Sequence, residues 1–162
     1  MIFQRKIKQY EIENRSIVYI DESGFAIDSP RTRGYSKKGN RCYGTKDWHS
    51  KGRVNAIGAL IGFKLLTVCL FDSYINSDVF YSWVKEDLIG VLSEKSVIVM
   101  DNATFHKRDD ILKKFDDNNH TVEFLPAYSP DLNPIEKKWA QAKAIRKKEK
   151  CTPSELFLCA RL

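Results

Sequence analysis

The sequence predicts an α/β fold in which helices flank one mixed five-stranded sheet. Five short apolar runs are typical of buried strands. In the second half of the chain these runs alternate with segments of helical periodicity, which favours parallel strands and right-handed crossovers. In the first half three runs follow one another, which favours an antiparallel meander. The 162 residues are enough to bury the core of one domain.

The first half of the chain contains three predicted strands. Residues 1–15 are polar and charged, and they form either a short helix or the tail of a linker. Ile17–Ile20 is the first strand. Residues 28–53 are rich in Gly, Lys, Arg and Ser and predict a long turn or hairpin. Val54–Ile61 and Leu65–Phe71 are the next two strands, and their connection is short enough for an antiparallel hairpin.

The second half alternates helices and strands. Asn76 is a good N-cap, and apolar residues repeat at helical spacing from there to Leu92. Val97–Met100 is the fourth strand and Val122–Leu125 is the fifth. A short charged helix, Lys107–Asp117, is predicted between them.

Two more helices are predicted after the fifth strand. Asn133 as the N-cap and Pro134 as the first helical residue are typical of a helix start. Residues 152–155 repeat this start signal before a last short helix. Trp139 lies one turn after Ile135, so it is predicted to belong to the core.

Composition narrows the classes of protein. The net charge of +6 and the pI of about 9.1 favour nucleic acid as a partner, although a solvated basic surface explains the same charge. Residues 57–71 are the most apolar stretch and are too short to span a bilayer, which excludes a membrane protein. The four cysteines lack zinc-site spacing and are predicted to be free thiols in a reducing cytosol. We predict a linker remnant at residues 1–16 and one domain at residues 17–162.

Three carboxylates stand at the edges of predicted buried elements. Asp21 follows the first strand, Asp101 follows the fourth, and Glu136 lies in the first turn of a helix. If the first and fourth strands are parallel neighbours, Asp21 and Asp101 emerge at the same carboxyl edge, where ligand sites of α/β sheets lie. Magnesium prefers carboxylate oxygens, and two ions about 3.5–4 Å apart can assist an in-line displacement at phosphorus. The pattern therefore predicts a two-metal phosphodiester site.

Each acid also has a purely structural explanation. An Asp after a strand is usually a turn or cap residue. Glu136 stands three residues after Asn133, at the capping-box position. Glu22 is left out of the predicted site, because neighbouring residues of a strand point to opposite faces. These residues alone support a basic α/β domain with a candidate metal site.

Three sequence blocks resemble the catalytic blocks of DDE transposases. They are DESGF at residues 21–25, MDNATFH at residues 100–106 and LPAYSPDLNPIE at residues 125–136. The resemblance is to the Tc–mariner superfamily, in its bacterial insertion-sequence branch, and it extends from about Ile17 to the end of the chain. The 34 residues between Asp101 and Glu136 are similar to the spacing in that superfamily.

The resemblance implies a ribonuclease-H-like fold and a catalytic domain that cuts and joins DNA. Asp21, Asp101 and Glu136 would be the catalytic residues and the ligands of two Mg²⁺ ions, with Mn²⁺ able to replace Mg²⁺. Water would attack a phosphodiester at the transposon end, and the freed 3′-hydroxyl would then attack target DNA. The implied partners are transposon terminal repeats and target DNA, bound by a homodimer. The implied location is the bacterial cytoplasm, in association with the nucleoid.

Residues around the three acids are further candidates. Asn102 and His106 belong to the second block and are predicted to orient Asp101, a metal-bound water or a phosphate. The alternative is that His106 caps the following helix. Basic residues cluster after the first acid and on the helix that follows Asn133, where phosphate contacts or a solvated face would both explain them. The predicted DNA-binding residues are Lys37, Lys38, Arg53, Lys137 and Lys138.

Relatives in the superfamily have a helix-turn-helix module before the catalytic domain, and this chain has no room for one before Asp21. We therefore expect either the product of a split reading frame or a truncated remnant. Two alternative functions follow. One is a catalytically idle fragment that binds DNA non-specifically. The other is a stand-alone ribonuclease-H-like nuclease, which the 34-residue spacing and the block ending at Glu136 argue against.

Overall fold

The computed structural model describes residues 2–27 and 52–158. One sheet lies at its centre, with the strand order β3-β2-β1-β4-β5. The strands are β1 (Ile17–Ala26), β2 (Arg53–Ile61), β3 (Lys64–Phe71), β4 (Val97–Met100) and β5 (Thr121–Phe124). The pairs β1–β2 and β2–β3 are antiparallel, whereas β1–β4 and β4–β5 are parallel. The prediction of a mixed five-stranded sheet with a β2–β3 hairpin is confirmed.

Helices pack on both faces of the sheet. They are α1 (Ile2–Ile12), α2 (Ser77–Trp83), α3 (Asp109–Asp116), α4 (Ile135–Glu149) and α5 (Pro153–Leu158). Apolar residues of α2 and α3 pack with Ile20 and Met100 on one face. Residues of α1, α4 and α5 pack on the other face, where Val99 is buried. The alternation along each strand therefore assigns neighbouring residues to different helical layers.

Several element boundaries differ from the prediction. The segment after Asn76 is helical, but α2 continues as a π-helical turn and then a 3₁₀ turn up to Val91. The predicted Lys107–Asp117 helix is shorter, because Arg108 is extended with ψ 131° and separates α3 from a preceding 3₁₀ turn. The predicted last helix has its capping box: the Thr152 N–H donates to the Glu155 carboxylate at 2.7 Å.

The N-terminal segment forms a helix, which is one of its two predicted alternatives. Phe3 and Ile7 of α1 are buried together with Val97 and Leu125, so this helix contributes to the packing of the sheet. The boundary at residue 16 between a linker remnant and the domain stays a prediction.

The start of α4 differs from the predicted cap. Helix α4 begins at Ile135, and no side chain caps it. The side-chain oxygen of Asn133 is buried without a hydrogen-bond partner among the described residues. Only its backbone carbonyl accepts from the Glu136 N–H, at 3.2 Å. The N-cap role predicted for the Asn133 side chain was wrong, and the capping-box alternative for Glu136 is not observed.

Trp139 fixes α4 to the sheet, as predicted for a core residue. It is 2% exposed, and its ring meets that of Phe25 edge-to-face with centroids 6.2 Å apart. A Cβ at Gly58 would lie 2.6 Å from the Trp139 ring. The absence of a side chain at Gly58 therefore allows α4 to approach β2 closely.

Two other sequence predictions concern thiols and membranes. Cys69 and Cys151 are free thiols, and the remaining two cysteines, Cys42 and Cys159, lie outside the described residues. Within residues 2–27 and 52–158, no helix is long and apolar enough to cross a membrane.

Candidate active site

The parallel pairing of β1 and β4 brings two of the predicted acids to the same level. Tyr19 pairs with Val99, so Asp21 and Asp101 each stand two residues further along. The prediction that Asp21 ends its strand was wrong. Strand β1 continues to Ala26, because its second half pairs with β2. Asp21 therefore lies inside the strand, whereas Asp101 directly follows β4 as predicted.

Asp21, Asp101 and Glu136 line a single cavity of about 300 Å³. Asn102 and the proline-containing segment 125–130 form much of the remaining wall. Glu136 reaches the cavity from the first turn of α4. The structure thus brings together three acids that are far apart in the sequence.

A buried histidine connects Asp101 to a fourth carboxylate. His106 is fully buried, and its Nδ1 lies 2.7 Å from Asp101 Oδ1 while its Nε2 lies 2.8 Å from Glu22 Oε1. Both ring nitrogens therefore face carboxylate oxygens, an arrangement that requires two N–H donors and a charged imidazolium. The Ala103 N–H also donates to Asp101 Oδ1, at 2.9 Å.

Sequence reasoning excluded Glu22 from the acid triad, and the structure places it on the opposite face of β1 from Asp21, next to His106. Its role as the second partner of His106 was missed. The alternative that His106 caps the next helix is not observed, because both of its nitrogens contact carboxylates. The sequence feature that could have indicated this contact is the alternation of side chains along β1, which directs Glu22 to the side of α2 and α3.

The pKa values of Asp21 and Asp101 are shifted in opposite directions. The hydrogen bond from His106 is the main reason that the pKa of Asp101 is lowered. Burial alone would lower the pKa of His106, but its contacts with Asp101 and Glu22 outweigh burial and raise that pKa to about 9. Burial, followed by the charges of Glu22 and Glu136, raises the pKa of Asp21 to about 7.

Of the predicted DNA-binding residues that the structure describes, none lines the cavity of the three acids. Lys37 and Lys38 lie outside the described residues. Arg53 begins β2, and its guanidinium packs over Gly24, where a Cβ would come within 1.7 Å of Arg53 Nε. Lys137 and Lys138 line a different cavity from the acids.

Residues 16–155 match the family described as DDE superfamily endonuclease. The chain belongs to this family. The match extends over most of the chain and includes all three acids, His106 and Glu22. No curated protein matches the chain.

The fold of this DDE endonuclease domain is similar to solved transposase structures. The Mos1 transposase paired-end complex with left transposon end has a TM-score of 0.68, 18% identity, and coverage of 88% of this chain and 46% of that chain. The catalytic domain of Mos1 mariner transposase has a TM-score of 0.61 and 14% identity, and the match covers 90% of this chain and 68% of that chain. The Mos1 mariner paired end complex with Mn has a TM-score of 0.63 and 18% identity, and the match covers 86% of this chain and 46% of that chain.

At these identities the likeness shows the fold, and the predicted ribonuclease-H-like fold is confirmed. The chain spans about half the length of the Mos1 chains in the paired-end complexes, at 46% of each of the two described above.

The DDE endonuclease domain has a donor set that suits divalent metal. Its cavity contains three carboxylates, the ligand type preferred by Mg²⁺ and Mn²⁺. Burial, and after it the charges of Glu22 and Glu136, raises the pKa of Asp21, and a bound cation would stabilise its ionised form. In the part of the chain that the structure describes, no three His, Cys, Asp or Glu side chains already lie close enough to enclose an ion. The acids therefore share a cavity without forming a closed metal cage.

Metal affinity of this DDE endonuclease domain is expected to fall as pH decreases through about 7. Burial and the neighbouring carboxylates raise the pKa of Asp21 to about 7, and a protonated carboxyl group is a poor metal ligand. Below that pH, the affinity for Mn²⁺ should decrease by up to about tenfold per pH unit. Calorimetric titration at pH 6 and pH 8 measures this difference. The Asp21→Asn variant should bind weakly at both pH values. Equal wild-type affinities would contradict the prediction.

Proposed function

We propose that this chain is the catalytic domain of a transposase of the Tc–mariner superfamily, in the bacterial insertion-sequence branch. It cuts DNA at transposon ends and joins the cut strand to target DNA. The observation that carries this proposal is the shared cavity of Asp21, Asp101 and Glu136. Each acid comes from a different one of the three sequence blocks, and membership in the endonuclease family supports the reaction class.

The three acids are the proposed catalytic residues and metal ligands. Two Mg²⁺ ions bound there, or Mn²⁺ in their place, would activate the attacking oxygen and stabilise the leaving oxygen. Asp101 Oδ1 is already engaged by Ala103 and His106, which leaves Oδ2 for the cavity. His106 and Glu22 therefore hold the orientation of Asp101, and His106 itself has no free nitrogen for a metal.

The proposed reaction is two successive displacements at phosphorus. In the first, the oxygen of water bonds to phosphorus, the bond from phosphorus to the 3′-oxygen breaks, and that oxygen takes up a proton to become a 3′-hydroxyl. In the second, this hydroxyl loses its proton as its oxygen bonds to a phosphorus of target DNA, the bond from that phosphorus to another 3′-oxygen breaks, and the displaced oxygen takes up a proton. Neither step needs a nucleophilic side chain, so no covalent protein–DNA intermediate forms. Asn102 lines the cavity and is suited to contact a phosphate or water.

The proposed partners are the transposon terminal repeats and target DNA, bound by a homodimer within the nucleoid of a bacterial cell. The net charge of +6 supports an anionic partner. Among the predicted phosphate contacts, Lys137 and Lys138 follow Glu136 directly in α4 and line a separate cavity.

End-labelled DNA from the flanks of the chain's own gene tests the proposal. The purified chain is incubated with these duplexes in Mg²⁺, in Mn²⁺ and in EDTA. We expect metal-dependent nicks that expose 3′-hydroxyl ends, followed by joining to a plasmid.

Two outcomes favour the rival functions. Tight DNA binding without any cleavage would indicate a catalytically idle fragment. Cleavage limited to RNA–DNA hybrids would indicate a stand-alone ribonuclease-H-like nuclease.

A further inference from the structure

A second cavity lies between the β2–β3 turn and the first turns of α4. Its volume is about 230 Å³, below the roughly 300 Å³ at which pockets for drug-sized ligands begin. Leu60 and Pro134 supply apolar walls, Phe63 stands at the turn, and Lys137 and Lys138 supply positive charge. The size suits a single planar ring with a charged group attached.

Phe63 is held out in solvent by the geometry of the turn. The hairpin closes with Ile61 paired to Lys64, and Gly62 adopts the left-handed conformation with φ 57°. Phe63 is consequently 94% exposed. An apolar ring in this position contributes little to the core, and it is available to stack against a ligand.

The charges around this cavity are positive. Of the described residues that line it, none is acidic, and two are lysines on consecutive positions of α4. Lys138 donates to Gln141 at 3.2 Å, whereas the Lys137 side chain has no hydrogen bond or ion pair within the described residues. Lys64 follows Phe63 directly. An aromatic ring next to lysines is the usual combination for single-stranded nucleic acid, in which bases stack and phosphates contact cations.

The two cavities adjoin along the start of α4. Asn133 and Glu136 line the acid cavity, and Pro134 and Lys137 line the second cavity. A strand whose phosphate lies at the acids therefore needs to pass only the first turn of α4 to reach Phe63.

We propose that the second cavity binds an unpaired nucleotide of the DNA strand near the cleaved phosphate. The base stacks on Phe63, and its phosphate contacts Lys137 and Lys138. This inference rests on the proposed function, since it assumes that DNA occupies the acid cavity. It adds a preference for frayed or single-stranded DNA at that site.

Fluorescence anisotropy with two DNA probes tests the inference. One probe is a blunt duplex, and the other is the same duplex with a short unpaired tail; EDTA prevents cleavage. Wild-type protein should bind the tailed probe roughly five- to a hundredfold more tightly, the range expected for stacking of one base. Phe63→Ala should remove this preference, whereas Phe63→Trp should retain it. Tyr74→Ala, at another exposed aromatic residue, should behave as wild type.

The possible outcomes distinguish a failure of the proposed nucleotide site from a failure of the proposed transposase reaction. Equal binding of both probes by wild type, or an unchanged tail preference in Phe63→Ala, would overturn the nucleotide site. Metal-dependent nicking by the same preparation would then leave the proposed function standing. A tail preference that depends on Phe63, without any nicking in metal, would support the site and count against the reaction.

Discussion

Replacing Asp101 with asparagine is expected to lower metal-dependent nicking by at least about a hundredfold, the loss typical of removing one group that stabilises transition-state charge. The amide removes a negative charge from the cavity that Asp101 shares with Asp21 and Glu136. Its oxygen can still accept from the Ala103 N–H, so the local turn should persist. The rate of nicking of labelled DNA in Mg²⁺ measures the effect.

Asp116→Asn is a matched control for this substitution. Asp116 is exposed at the end of α3, so the same chemical change there should leave nicking unchanged. Thermal unfolding of both variants verifies that they are folded. Nicking by Asp101→Asn within a few-fold of wild type would remove Asp101 from the proposed catalytic set.

Replacing His106 with alanine is expected to destabilise the fold by about 3–5 kcal/mol at pH 6, as for a broken buried ion pair. His106 is fully buried between Asp101 and Glu22, and its ring packs against Phe80 and Phe105 with centroids 4.5 and 4.2 Å away. Its loss leaves two carboxylates without their shared partner. Nicking should also decrease, by about ten- to a hundredfold, because Asp101 loses the group that orients it.

The stability effect of His106→Ala should depend on pH with a definite sign. The pKa of His106 is raised to about 9 in the fold, above the ordinary value of about 6.5. Its contribution is therefore complete below pH 6.5 and is lost as pH rises through 9. Urea unfolding in EDTA at pH 6 and pH 9.5 should show a difference between wild type and variant that shrinks by about 3 kcal/mol.

His120→Ala is the control, because the pKa of His120 is shifted in the opposite direction to that of His106. Burial lowers the pKa of His120, so the fold favours its neutral form, and its contribution is lost as pH falls through the ordinary value. The cost of His120→Ala should not shrink between pH 6 and pH 9.5. A cost of His106→Ala that is equal at both pH values would contradict a charged imidazolium between the two carboxylates.

The sheet could be predicted because apolar residues form the majority in four of its five strands, β1 to β4. The run Val97–Met100 coincides with β4, since both faces of this strand are buried. The extension of β1 past Ile20 could not be predicted, because residues 21–24 are polar or glycine and have low strand propensity. They are extended because β2 pairs with them, from Asp21↔Gly58 to Gly24↔Asn55.

Which residues lie next to the acids could not be predicted, because it depends on packing between segments that are distant in the sequence. Glu22 and His106 are 84 residues apart, so no local pattern predicts their contact. Lys137 and Lys138 follow Glu136 directly, yet each step along a helix turns by about 100°. That rotation assigns the lysines to the cavity beside Phe63 and Glu136 to the cavity of the other acids.

The sequence by itself determined the order of strands and helices, the three blocks that contain the acids, and the resemblance that the family match later supported. These properties depend on periodicity and residue type, which are local. Only the tertiary structure decided that the acids share one cavity and that Glu22 holds His106. It also decided the shifted pKa values of Asp21 and His106. Burial and the charges of residues distant in sequence set these pKa values, and both arise only when the sheet and its helices are packed together.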